Sequence, residues 1–367
     1  MKSHASLALF GLGLLGLAAC PAPGPEPEPE DDFPAPAQGE GTQFGTGLQA
    51  VGPGEEVQNC FFFQVKDLLD ASGLDTDTPF NLNRVQINQR EGSHHMNIFR
   101  VNAEMIVDHE DGGLDPLKGP YLGLNGAGAC FKSSNWAGWP LIANTQADGT
   151  LDWKFPEGVV NKLKPEEWLM VQSHYVNATT QKTPDDGDVR INFWHLPDAD
   201  VVHEMGTIFA TKQSIRVCQG LPEPTFSGGC QINGDTPAKI IAANGHFHSR
   251  GVGFQMFEWD GTSSETPPKE DLFYTSDNWE EPKMAMDSDA LAEIKPGGGV
   301  FYTCDFQWSA PPAPLSCSDL NAFDQMKYMT PEEQLDCCYT FGPVVDRNEH
   351  CNAFVYYYPK TADIFCN

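Results

Sequence analysis

The chain has 367 residues and a formal charge of −29, from 51 acidic and 22 basic side chains. No Lys/Arg cluster offsets that surplus, so nucleic acid and anionic lipid surfaces are excluded as electrostatic partners. Eleven cysteines, widely spaced and without a C-x-x-C, exclude a cysteine-rich zinc module and point to disulfides formed in an oxidising compartment.

Lys2, the small and apolar run Ala5–Leu17 and the sequence Leu17-Ala-Ala-Cys20 have the form of a secretory signal over residues 1–19, ending in a lipobox-like cleavage site. The apolar run is too short to span a bilayer. The expectation is a mature chain that starts at Cys20, is acylated there, and is held outside the cytoplasm on a bacterial membrane by lipid alone. Pro21, rather than Asp, follows the cysteine and directs the expectation to the outer membrane.

Residues 20–45 form a linker rich in Pro and Glu, including Pro25-Glu-Pro-Glu-Pro-Glu-Asp-Asp32, which buries no apolar area and reads as a spacer. About 320 residues then remain, enough for two domains. Leu196-Pro-Asp-Ala-Asp200 interrupts two strand-like runs and sets the expected domains at 46–200 and 201–367.

Through both halves, short runs of Val, Ile, Phe, Tyr and Trp alternate with Gly, Pro, Asn and Asp. They are Phe61–Val65, Arg84–Ile87, Met96–Val101, Trp168–His174, Val189–Trp194, Ala238–Ala243, Phe254–Trp259, Val300–Trp308 and Ala353–Tyr358. This pattern predicts an all-β chain of antiparallel sandwiches. Two short helices are expected, over Pro156–Leu163 and Thr330–Asp336; the second has an N-cap, an N1 proline and first-turn acids in order. Residues 280–299 and 311–323 read as long surface loops.

Histidine carries the chemistry. In Asn244-Gly-His-Phe-His-Ser-Arg250, strand alternation would put His246 and His248 on one face, where they could share an ion. Alone, an H-x-H is more often a pair of surface histidines around a core residue. It is accompanied by His94-His95-Met96, by His174 within Val171-Gln-Ser-His-Tyr175, and by His350 beside Cys351, six histidines in four segments and enough for two three-histidine sites. Adjacent residues face opposite ways on a regular strand, so His94 and His95 can share an ion only if the strand ends or bulges there. His109, His195 and His203 read as structural or exposed. Imidazole suits copper, zinc, iron or nickel, and three imidazoles per site fit copper or zinc best. No G-x-S-x-G or other nucleophile cue supports a serine or cysteine hydrolase.

Setting Cys20 aside leaves ten cysteines for up to five bridges. Cys337 and Cys338, adjacent in sequence, are expected to pair elsewhere and not with each other.

Taken in order, His94-His-Met96, Gln172-Ser-His-Tyr175, His246-Phe-His248 and Cys351-Asn-Ala-Phe-Val-Tyr-Tyr-Tyr-Pro-Lys-Thr361 with Cys366 resemble the copper type II, ascorbate-dependent monooxygenases, the family of peptidylglycine alpha-hydroxylating and dopamine beta-monooxygenases. The likeness runs from about Cys60 to Cys366. It implies two tandem jelly-roll-like sandwiches, each with one copper, facing each other across an open solvent-filled gap. It further implies an electron-transferring ion at His94, His95 and His174, and an oxygen-binding ion at His246, His248 and His350. A C–H bond of a small organic substrate would be hydroxylated there with O2 and an external donor such as ascorbate. It also implies the bridges Cys60–Cys130, Cys304–Cys351 and Cys230–Cys366, leaving Cys218, Cys317, Cys337 and Cys338 to pair among themselves.

Three positions depart from the family pattern. His350 stands where the family has a methionine, Asn244 where the peptide-hydroxylating branch has an arginine, and Phe354 where it has a tyrosine. A peptidylglycine substrate is not expected. The other readings of the chain are a catalytically silent copper-binding or storage lipoprotein on the same scaffold, and a carbohydrate-processing or adhesion sandwich in which the histidines are incidental.

Overall fold

The computed structural model describes residues 33–47, 49–89, 93–101, 128–129, 139–145, 149–177, 183–187, 189–280, 282–320, 336–342 and 345–367. The expected signal, the Cys20 anchor and residues 20–32 of the linker lie outside these residues, as do His109, Cys130 and nearly all of the helix expected at 330–336; the linker expected to run to 45 ends earlier, since Gly41–Gly45 is a strand paired with Val189–His195. Among the described residues no helix is long and apolar enough to cross a membrane.

The described chain is all-β, built from mainly antiparallel sheets, with parallel pairings of Val159–Val160 with His203–Glu204 and of Ile208–Ala210 with Ile364–Cys366. Each of the nine apolar runs lies in or largely overlaps a strand. In the first half one sheet runs, in spatial order, through Gly41–Gly45, Val189–His195, Phe80–Gln89, Val159–Leu163 and His203–Glu204, with Gly149–Lys154 also on Phe80–Gln89. A second runs through Gly128–Ala129, Glu56–Gln64, Trp168–Val176, Ser93–Arg100 and Leu141–Thr145. Phe44 of the first sheet stacks on Phe63 of the second at 4.9 Å and meets Phe61 edge-on at 5.7 Å, which makes the pair a sandwich.

The second half repeats the plan. Ala285–Met286, Ala238–His246, Asn352–Tyr358, Gly206–Thr211 and Ile364–Cys366 form one sheet; Thr225–Gln231, Gly299–Phe306, Gly251–Trp259 and Leu272–Ser276 form another. Among the described residues every strand pairing lies within 41–204 or within 206–366. Residues 35–367 nevertheless pack as one unit, because the apolar core of the first half takes in Phe209, Ile241, Ala242, Phe354 and Tyr356 of the second.

Several local readings change. Val159–Leu163 is a strand, not a helix: its β-branched Val159 and Val160 are buried, and Leu163 pairs with Phe80. A helix forms instead over Val65–Ala71, directly after a strand that stops at Gln64. Val65, Leu68 and Leu69 bury one face of it, and Asp67 accepts the Gln64 N–H at its start. Residues 280–299 are not simply a loop, since Ala285–Met286 and Ala292–Ile294 pair along Ala238–His246. Within 311–323 a single turn of helix covers Cys317–Leu320.

The bridges Cys230–Cys366 and Cys304–Cys351 are present, and the other cysteines pair as Cys218–Cys338 and Cys317–Cys337. Cys60 is disulfide-bonded, and its expected partner Cys130 is not among the described residues.

Candidate metal centre

His246 is the last residue of its strand and lies opposite Asn352 on the closing strand. His248 falls beyond the strand end, so alternation along a strand is not what brings the two together. The chain turns there, with Gly251 N–H donating to the His248 carbonyl at 2.8 Å. Phe247, fully buried, anchors the turn against Phe254. Gly251 is required beneath it, because any Cβ at that position would overlap the Phe247 ring. The rings of His246 and His248 end 5.3 Å apart.

His350 enters from the other side. It follows the short strand Asn348–Glu349 and precedes Cys351, whose bridge to Cys304 ties it to the neighbouring sheet. Its ring lies 4.2 Å from that of His248 and 5.3 Å from that of His246. One nitrogen from each of the three histidines falls within 4.8 Å of the others. Two ligands on one ion at about 2 Å each can be no more than about 4 Å apart, so the widest pair needs to close by under about 1 Å.

The protonation chemistry suits a cation. His248 Nδ1 lies 2.9 Å from the Asn348 carbonyl, which can only accept, so Nδ1 carries the hydrogen and Nε2 keeps its lone pair. Burial, with the neighbouring His248 and His246, holds His350 well below the usual histidine range and leaves it a neutral ligand. His350 Nδ1 is buried without a hydrogen-bond partner, an arrangement that a metal would relieve. Beside it Glu349 is fully buried, and burial pushes its carboxyl up to about 8.

The first-half histidines meet by a different route. His95 and His174 are directly opposite in the antiparallel ladder of Ser93–Arg100 with Trp168–Val176. Tyr175 then pairs with Ser93, so His94 is the extra residue of a bulge, the distortion that two adjacent histidine ligands require. The Nδ1 atoms of His95 and His174 are 3.4 Å apart, close to the spacing of about 3.3 Å for two nitrogens on a tetrahedral ion.

The two groups are not separated by a wide solvent gap, contrary to what the family resemblance implies. The His95 ring comes within 6.4 Å of the His246 ring, and His174, His246, His248 and His350 are each no more than 9 % exposed. A buried polar clasp adds to the apolar packing between the halves. Asn144, from the first half, donates to Asn244 Oδ1 at 3.2 Å and accepts from the Tyr356 hydroxyl at 3.0 Å. Asn244 also donates to the Pro282 carbonyl, and Trp153 packs edge-on against Tyr356 at 4.7 Å. The Asn244 side chain is therefore committed to joining the halves.

Other candidates resolve as structural. His195 packs on Phe80 and His203 on Tyr358. Arg250 is buried, lies over the Tyr339 ring at 4.1 Å and donates to its hydroxyl at 2.9 Å. Cys218, Asp336 and Cys338 cluster like ligands, but the two sulfurs are bonded to each other. A cavity of about 410 Å³ lined by Asp152, Trp153, Ile241 and Met286 includes none of the six histidines.

Neither a protein-family model nor a curated protein matches the chain. Among solved structures it is similar to the cowpea mosaic virus top component, a naturally occurring empty particle, at 8 % identity over 88 % of this chain and 91 % of that one. The TM-score of 0.32 is too low to bear on function.

Proposed function

We propose that the chain is a copper-dependent monooxygenase that hydroxylates a C–H bond of a small organic substrate, using O2 and an external reductant of the ascorbate kind. The observation that carries the reading is the convergence of His246, His248 and His350 on one buried point facing the His95–His174 pair. In this reading the mature protein is extracytoplasmic, anchored by lipid at Cys20 to a bacterial outer membrane.

Two ions would be held, one by His246, His248 and His350, the other by His95 and His174 with His94 at the bulge. Copper bound there supplies one-electron redox chemistry and a site for O2. The protein's own contribution is preorganisation. The Asn348 carbonyl fixes the His248 tautomer, burial keeps His350 unprotonated at neutral pH, and the enclosing sheets restrict water.

A second reading, a catalytically silent copper-binding or storage lipoprotein, is favoured by His350 itself. A thioether is a soft ligand that favours Cu(I), whereas a third imidazole favours Cu(II). Metal analysis of protein matured in its own compartment, followed by O2 uptake with reductant, tests the proposal. About two coppers per chain and reductant-dependent uptake are expected; one copper or none after reconstitution would refute it. Wild-type protein inert with every reductant and substrate tried, with oxygen chemistry gained by His350→Met, would establish the silent copper-binding reading instead.

A further inference from the structure

Three consecutive residues converge on the second histidine group in three different ways. The Asn348 carbonyl orients the His248 ring, and His350 is itself a candidate ligand. Between them lies Glu349, with no solvent exposure. Its Oε2 accepts the His248 N–H at 3.1 Å, and its Oε1 accepts the Arg250 N–H at 3.0 Å. Both donors belong to the turn that follows strand Ala238–His246, so one carboxylate joins the turn bearing His248 to the segment bearing His350.

The choice of residue is informative. Burying a carboxylate costs several kcal/mol after relaxation, and proteins tolerate it where a cation or a set of oriented donors compensates. A glutamine side chain has one acceptor oxygen where the carboxylate has two, so it could not accept both N–H groups without turning its own NH2 toward one of them. The nearby Arg250 guanidinium is engaged with the Tyr339 hydroxyl and ring.

We infer that Glu349 is a positioning residue for the metal centre: its two oxygens clamp the backbone at 248 and 250 so that His248 and His350 address one point. This rests on the metal-binding reading of the site. Residues that hold and orient ligands in this way typically change metal affinity 10–100-fold when replaced.

The test is a Cu(II) titration of the full chain, read by affinity and by electron paramagnetic resonance, in a His95→Ala/His174→Ala background so that the spectrum reports the second group alone. Glu349→Gln is expected to weaken copper binding about 10–100-fold and to change the copper hyperfine splitting. A variant with lowered thermal stability but unchanged affinity and spectrum would overturn the inference and leave Glu349 as scaffold only. If Glu349→Gln does not fold, Glu349→Asp serves, since it keeps both carboxyl oxygens but is one methylene too short to reach both N–H groups. A smaller loss of affinity with an altered spectrum is expected, and wild-type behaviour would overturn the inference. His350→Ala separates the two levels: copper uptake in that background that is unaffected by it means the second group is not the metal site, and the inference falls with the reading beneath it.

Discussion

His95 and His174 meet because an antiparallel ladder puts them opposite each other, with Met96 and Ser173 continuing the register next door. His246, His248 and His350 have no such pairing among themselves. One ends a strand, one lies in the turn after it, and the third comes from a separate segment of the chain. A ladder position inherits its rigidity from the sheet. A turn position needs ties of its own, and the second group has three: the Asn348 carbonyl, the Glu349 carboxylate and the Cys304–Cys351 bridge. A fixed ligand loses less conformational entropy when an ion binds.

The largest expected effect comes from cutting the covalent tie. For the 47-residue separation of Cys304 and Cys351, the loop-entropy model gives about 4 kcal/mol. The remaining bridges already restrict the unfolded chain, so Cys304→Ser/Cys351→Ser is expected to lose about 2–4 kcal/mol in urea denaturation. Metal titration of the same variant should show weaker binding at His246, His248 and His350, with binding at His95 and His174 unchanged. Equal losses at both groups would erase the distinction between a ladder-held and a tie-held site.

That distinction also explains what could be read from the residues. Runs such as Ala353–Tyr358 and Phe254–Trp259 are strands because aromatic and β-branched side chains buried in a sheet are a local signal. The segment Val159–Leu163 misleads because Pro156 and Glu157 imitate a helix start, while its pairing with Phe80–Leu82 is a long-range fact. The helix Val65–Ala71 is not among the expected elements: Val65, Leu68 and Leu69 have helical spacing, but they directly follow the strand-like run Phe61–Val65, which absorbs the first turn. The histidines stand out by residue type. Glu349 does not, because nothing near it in sequence reveals that its partners are the N–H groups of His248 and Arg250. The role of Asn244 is hidden for the same reason, since its partner Asn144 belongs to the other half.

Asn244 gives the next largest test. It is fully buried, and Asn244→Ala would leave Asn144 Nδ2 and the Pro282 carbonyl short of a partner. Stranding buried polar groups costs about 1–3 kcal/mol, to be read as a shift in the urea midpoint. If this clasp is what holds the halves together, the variant should also weaken any magnetic interaction between copper ions bound at the two groups. Tyr356→Phe, which removes only the hydroxyl bonded to Asn144, should behave the same way with a smaller loss, about 1 kcal/mol.

The smallest effect tests the first half with acid. Arg84 donates to both carboxylate oxygens of Asp152, at 2.7 and 2.6 Å, and lies over the Trp194 ring at 4.9 Å. Those hydrogen bonds hold the Asp152 carboxyl below its ordinary value of 3.8. A carboxyl whose folded pKa is depressed stabilises the fold above the unfolded value and loses that contribution as pH falls through the lower folded one. Asp152 is 40 % exposed, so solvent screening keeps the contribution small, about 0.5 kcal/mol. Arg84→Met keeps an unbranched apolar stem against Trp194 and removes the charge. Its deficit in urea denaturation is expected at pH 7 and should shrink as the pH falls well below 3.8. A deficit that persists unchanged in acid would mean that Arg84 acts through its packing on Trp194 and not through its charge.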